Sequence, residues 1–168
     1  MALTTMLKLF MTFLATKSGI DLSTPQSYLE RTFEKSLASG TGAAQADLIF
    51  HDKRTIAATT NDDLDLAGSL TDAFGATLTF AKVKLIYIEN PSGNDGDVVV
   101  GAAASNQFVG PLGGATHTIA IKPGGCLLLA SPVNAGWTVA AGTGDILRVR
   151  NAGSASQDIP VIIVGTSA

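Results

Sequence analysis

The chain has 168 residues, 11 Lys and Arg against 14 Asp and Glu, a formal charge of −3 and a single cysteine. That length suits one domain with one core and no dependence on disulfides, and its few basic residues form no run that could neutralise a series of phosphates, which argues against nucleic-acid binding. Charged residues make up 15% and hydrophobic ones 46%, so a monomer has little polar material to cover its exterior, and self-association or docking on a larger assembly is the physical expectation.

At the start, Lys8 precedes the mostly apolar residues 9–15. One lysine and an apolar run broken by Thr12 make a poor export signal, so an ordinary strand or helix is expected there. Residues 7–16 suit either type, and residues 20–25 close them with turn chemistry. Residues 27–38 are ambiguous too. Ser27 with Glu30 makes a capping-box pattern, and Tyr28, Leu29, Thr32, Phe33, Ser36 and Leu37 fall on one helical stripe, which favours a helix slightly. Read with period two, Leu29, Phe33 and Leu37 share a face, with Arg31 and Lys35 between them. Residues 1–45 are therefore expected to be an N-terminal arm of undecided strand or helix type that makes contacts.

From residue 46 to 168 the period is two. Leu48, Phe50 and Ile56 share a face interrupted by Asp52 and Arg54, opposite His51, Lys53 and Thr55. Leu64 and Leu66 alternate with Asp63 and Asp65. Residues 77–89 read as the strongest strand and a central one, with Ala81, Val83, Leu85 and Tyr87 on one face and Lys82, Lys84, Ile86 and Ile88 on the other. A dense turn signal at 90–96 precedes a brief strand at 97–101. Further strands are predicted at 107–109, 116–121, 125–130, 137–140, 146–150 and 159–164, each bounded by a breaker. Eight or more short strands without an intervening helical pattern predict an all-β domain, a β-sandwich of jelly-roll-like kind.

Chemistry is sparse. The histidines, His51 and His117, are far apart, no nucleophile elbow is present, and no close His pair offers a metal the cluster that a cupin-type enzyme needs. Asn94, Asp95 and Asp97, or Asn61, Asp62, Asp63 and Asp65, carry hard oxygen donors but lack EF-hand spacing and read as turn residues. Gly40 and Gly42, like Gly142 and Gly144, lack the context of a phosphate loop. Cys126, in the apolar run 126–130, reads as a small buried hydrophobe. Trp137 reads as a core or interface anchor before a sugar-stacking platform. No catalytic, cofactor-binding or metal-ligating residue is expected, and no membrane-spanning run exists.

Three stretches, residues 63–84, residues 121–129 (Ile121-Lys122-Pro123-Gly124-Gly125-Cys126-Leu127-Leu128-Leu129) and the tail 159–165 (Ile159-Pro160-Val161-Ile162-Ile163-Val164-Gly165), resemble small structural proteins of tailed bacteriophages and prophages, of the capsid-decoration or head-cement kind. The resemblance covers most of residues 40–168. It implies a non-enzymatic jelly-roll-like protein, made in the cytoplasm of a bacterial host and located in the virion capsid, where it binds the major capsid protein or other virion proteins. It leans towards strands in the first 40 residues. A homo-oligomer, dimer or trimer, with no nucleic-acid or membrane partner agrees with the composition. The contact residues expected are Leu9, Phe10 and Phe13, and then Phe108 and Trp137. The alternative is a phage tail or receptor-binding module that recognises carbohydrate through Trp137 and the polar loop 90–96.

Overall fold

The computed structural model describes residues 3–17, 25–132 and 136–168, and every regular element among them is a strand. In chain order these are β1 (Thr5–Thr16), β2 (Gln26–Ser39), β3 (Gln45–Ala46), β4 (Leu48–Ile56), β5 (Asn61–Asp65) and β6 (Lys82–Asn90). They continue with β7 (Val98–Gly101), β8 (Thr118–Ile121), β9 (Gly125–Ala130), β10 (Trp137–Thr138), β11 (Ile146–Asn151) and β12 (Gln157–Thr166).

From β4 onward the chain pairs as a ribbon doubled back on itself. β4 pairs with β12, β5 with β11, β6 with β9 and β7 with β8, all antiparallel. Cross-pairs between β12 and β6 and between β11 and β7 then roll the ribbon into two sheets. One has the order β9-β6-β12-β4, with the short β10 beside β9 on the same edge of β6, and the other β5-β11-β7-β8. Nested pairing of this kind makes a jelly roll, so the all-β sandwich expected from the period-two pattern is the observed architecture.

Alternation supplies its core. Ile86 and Ile88 of β6 and Ile159, Val161 and Ile163 of β12 point inward against Val98 and Val100 of β7 and Leu147 and Val149 of β11, all essentially without solvent contact. Leu64 and Leu66 complete this layer, as their alternation with Asp63 and Asp65 predicts. Phe50 and Ile56 of β4 are buried at either end of that strand, while the Asp52 and Arg54 between them open onto the sandwich edge. There Arg54 reaches from one sheet to the other, its Nε donating to Asp62 Oδ2 at 2.6 Å and its Nη1 to Asp52 Oδ2 at 2.9 Å.

Four sequence expectations are corrected. Residues 27–38 are strand, not helix: all of β1 pairs with β2 from Thr5↔Leu37 to Thr16↔Gln26, and this cross-strand ladder outweighs the local capping pattern. In β6 the strict alternation fails at Lys84, because Val164 pairs with Leu85 but Gly165 with Val83. The extra residue reverses the parity, so Val83 shares the core with Ile86 and Ile88 while Leu85 and Tyr87 face outward. The strand predicted at 107–109 is reduced to a single bridge from Gln107 to Ile146. Cys126 is exposed, since β9 turns Leu127 and Leu129 to the core and leaves Cys126 on the other face.

Two buried asparagines fasten the loops at one end of the sandwich. Asn151 Nδ2 donates to the carbonyls of Ile56 at 2.9 Å and Ala155 at 2.8 Å, and its Oδ1 accepts from Gly153 N at 2.7 Å. Asn90 Nδ2 donates to the carbonyls of Gly96 and Ile121 at 3.0 and 2.8 Å. The turns at 91–97 and 152–156 meet here, and Asp95 accepts from Ser154 N and Gln157 Nε2. Gly96 sits against the Gly153 backbone, an approach that a side chain at 96 would block, and a side chain at 153 would strike Asp95 and Gln157.

Candidate functional site

Among the described residues, eight of the ten exposed large hydrophobic side chains lie on the N-terminal arm, Phe74 and Val109 being the others. β1 alone has 12 residues, roughly 40 Å of extended chain, and along β2 Leu37 is the one buried position. Among the described residues, most side chains of this two-stranded ribbon beyond its base are therefore exposed on both faces. The register decides which side chains share a face. Leu9 opposite Phe33 and Phe13 opposite Leu29 lie on one, with Met11 opposite Arg31 between them and Leu7 opposite Lys35 below. Met6, Phe10, Leu14 and Tyr28 lie on the other, with Lys8 opposite Glu34 and Thr12 opposite Glu30. Four large apolar side chains on each face are between 38% and 65% exposed.

The charges are segregated as well. The Leu9 face carries Arg31 and Lys35 and no carboxylate, with Lys35 Nζ 5.9 Å from the Phe33 ring centre. The Phe10 face carries Glu30, Glu34 and Lys8, so its balance is negative. Lys8 Nζ lies 3.3 Å from Glu34 Oε2, and Tyr28 donates its hydroxyl to Glu30 Oε2 at 2.7 Å, which holds the phenol pKa above its ordinary value.

The base of the arm is tied down at three points. Leu37 packs with Ala46, Leu85 and Val164 on the outer face of the larger sheet, and Leu3 and Leu7 lean on the same patch. Ala38 N donates to Ala44 O and Gly40 N to Ala46 O, joining the end of β2 to β3. The displaced Lys84 reaches into this turn. Its side chain is fully buried and Nζ donates to Gly42 O at 2.5 Å. Desolvation lowers its pKa, Lys82 adding to the shift and Asp47 opposing it. Beside β1 an apolar groove of about 590 Å³ opens between the arm and the sheet, lined by Leu7, Leu9, Tyr87, Cys126, Leu128 and Ile162.

Of the contact residues expected from the sequence, Leu9, Phe10 and Phe13 all lie on the exposed arm. Phe108 is a correction: at 2% exposure it fills the core, because Phe108 N donates to Ile146 O at 2.9 Å and draws that segment under the sandwich. Trp137 is half-buried, pairs with Val83 through β10 and backs onto Gly110. Sequence reasoning missed Met6, Leu14, Tyr28, Leu29 and Phe33, since the helical stripe placed the last three on a buried side. The period-two alternation of Leu29, Phe33 and Leu37 was the signal that could have found Leu29 and Phe33.

Many charged groups elsewhere are occupied with one another, while Asp145 Oδ1 and Gln157 Oε1 are buried without a partner. Asp63 accepts from Arg148 through both oxygens, and this pairing holds its carboxyl below the usual carboxylate range. Asp62 is held by Arg54, Asp97 by Lys122 and Asp158 by Lys53. A polar cleft of about 330 Å³ at the sandwich edge is lined by His51, Asp52, Arg54, Asp63 and the turn 69–73, and its cation, Arg54, is already engaged by Asp52 and Asp62. His117, at the far side, sets Nδ1 3.0 Å from the Leu112 carbonyl oxygen. Among the described residues no three His, Cys, Asp or Glu side chains converge on a metal position. The chain matches no known protein family, no curated protein and no solved structure.

Proposed function

We propose that this protein is a non-enzymatic structural component of a virion, a capsid decoration or cement protein that binds between capsid subunits and stabilises the head. The observation that carries this reading is the arm. At about 200 Å² for a fully exposed side chain of this size, its eight large apolar residues leave roughly 850 Å² of apolar surface in water. Divided over the two faces it makes patches of roughly 380 and 480 Å², each the size of the largest and often functional patch on a typical monomer, and both lie on one protruding ribbon. A jelly-roll body with five of its carboxylates held by Lys or Arg contributes rigidity, and the arm contributes association. Its two outer strand edges also offer unpaired backbone groups for strand addition.

The alternative of a carbohydrate-binding tail module rests on Trp137, which is half-buried and packed on the core, so the arm is the better supported site. The test is made on particles. Virions assembled with the protein are expected to contain it in hundreds of copies and to withstand heating that bursts virions lacking it. Equal heat resistance with and without the protein refutes cementing, and a copy number of a handful moves it to the tail.

A further inference from the structure

We infer that the partner of each arm is the arm of another copy, joined unlike face to unlike face, so that the chain assembles into a closed ring of three or more copies. This rests on the reading of the arm as the association element and names what it associates with.

The charges select the pairing. In a two-fold dimer each copy presents the same surface to the other. Bringing Leu9 faces together would bury the Arg31 and Lys35 of both copies with no carboxylate opposite them, and bringing Phe10 faces together would bring Glu30 and Glu34 of both copies into one contact. Charges desolvated without a partner are strongly unfavourable. Laying the Leu9 face of one copy on the Phe10 face of the next places Arg31 and Lys35 against Glu30 and Glu34, with Phe13 and Leu29 against Phe10, Leu14 and Tyr28.

Area points the same way. One such junction covers roughly 850 Å² in total, counting both copies, which is short of the ~1,200 Å² at which specific interfaces begin. When every arm uses both faces, each copy is held through two such junctions, and in a closed ring its release requires both to break, so two weak contacts act as one stronger one. Two unlike faces on one ribbon also mean two neighbours for each copy. Stacked ribbons lie about 10 Å apart, whereas a body of this length is about 35 Å across. Bodies rooted at the base of each arm therefore wedge successive copies apart in angle, which rules out a straight stack, and in the inferred assembly this rotation closes into a ring.

The experiment is the solution mass of the full chain by size-exclusion chromatography with light scattering. Wild type is expected at three or more copies. Reversing one face with Arg31→Glu and Lys35→Glu is expected to reduce the mass to that of a monomer, with the strand signal in circular dichroism retained. Adding Lys8→Glu, Glu30→Lys and Glu34→Lys to that variant exchanges the charges of the two faces and is expected to restore the wild-type mass. A wild-type monomer or two-fold dimer overturns the inference, as does a mass unmoved by the first reversal or unrestored by the exchange. Wild type that is monomeric yet cements particles leaves the virion reading standing without the ring. A ring that never enters particles does the opposite.

Discussion

Replacing Leu37 by alanine tests whether the arm is held by its base and by little else. Leu37 is 3% exposed and is the buried residue of a 14-residue strand, packed on Ala46, Leu85 and Val164. Removing a buried leucine down to Cβ costs 2.7–5 kcal/mol in a closed core. This cluster borders the open groove beside β1 and can partly collapse, so about 2–3 kcal/mol is the appropriate range. That energy belongs to docking of the arm, because the main core of Ile86, Val161, Leu147 and their neighbours does not include Leu37. The docked arm is therefore expected to open about 30- to 150-fold more often, while the urea midpoint of the body moves by less than about 1 kcal/mol equivalent. Hydrogen exchange resolved by segment reads the first, with protection of β2 and β3 amides falling and that of β6 and β12 unchanged. Denaturation followed by far-ultraviolet circular dichroism reads the second. Loss of the full 2–3 kcal/mol from the body, or unchanged exchange in the arm, refutes the assignment of Leu37 to the joint.

Three further outcomes follow from the same physics. Lys84 has a folded pKa below the ordinary lysine value of 10.5; between the two values the unfolded chain binds the extra proton, so stability rises with pH there. Lys84→Met is expected to abolish that rise, and urea midpoints of variant and wild type that run parallel into alkaline pH would refute it. Asn151→Ala strips partners from buried backbone groups of Ile56, Ala155 and Gly153 and is expected to cost about 3 kcal/mol; a loss below about 1 kcal/mol in urea would show that water replaces the amide. Gly96→Ala forces a Cβ into the Gly153 backbone and is expected to cost about 1–3 kcal/mol; an unchanged melting temperature would mean that the two turns separate freely.

The sandwich was legible because its strands alternate: Asp63 to Leu66 and Ile159 to Val164 have the inward and outward faces that period two assigns them. Reading failed where a non-local partner set the structure. Nothing local marks Lys84 as the displaced residue, because the bulge arises from the register of a strand some 80 positions later. Ser27 and Glu30 offered a helix start, and only the strand beside them, already apolar at alternate positions from Leu7 to Ala15, overrides it. Cys126 and Phe108 changed places with expectation for one reason. A run of consecutive apolar residues does not tell which of them a strand turns outward, and a lone aromatic between glycine-rich turns does not tell that the turn is drawn inward. At the arm, three contact residues were readable from apolar density alone. The segregation of charge between its faces required the register.

The doubled-back ribbon also orders events in time. Leu48, which opens the body, pairs with Gly165, 117 positions later, so the larger sheet has no partner for its first strand until almost the whole chain has been made. The arm has no such delay, since β1 and β2 are neighbours in sequence and close as a hairpin in microseconds. Contacts between distant residues slow the body to the millisecond-to-second range. On the ribosome, the segment that forms the sticky ribbon thus emerges whole while the rest of the chain is still unfolded, and nascent chains made side by side are able to meet through it before either has a core.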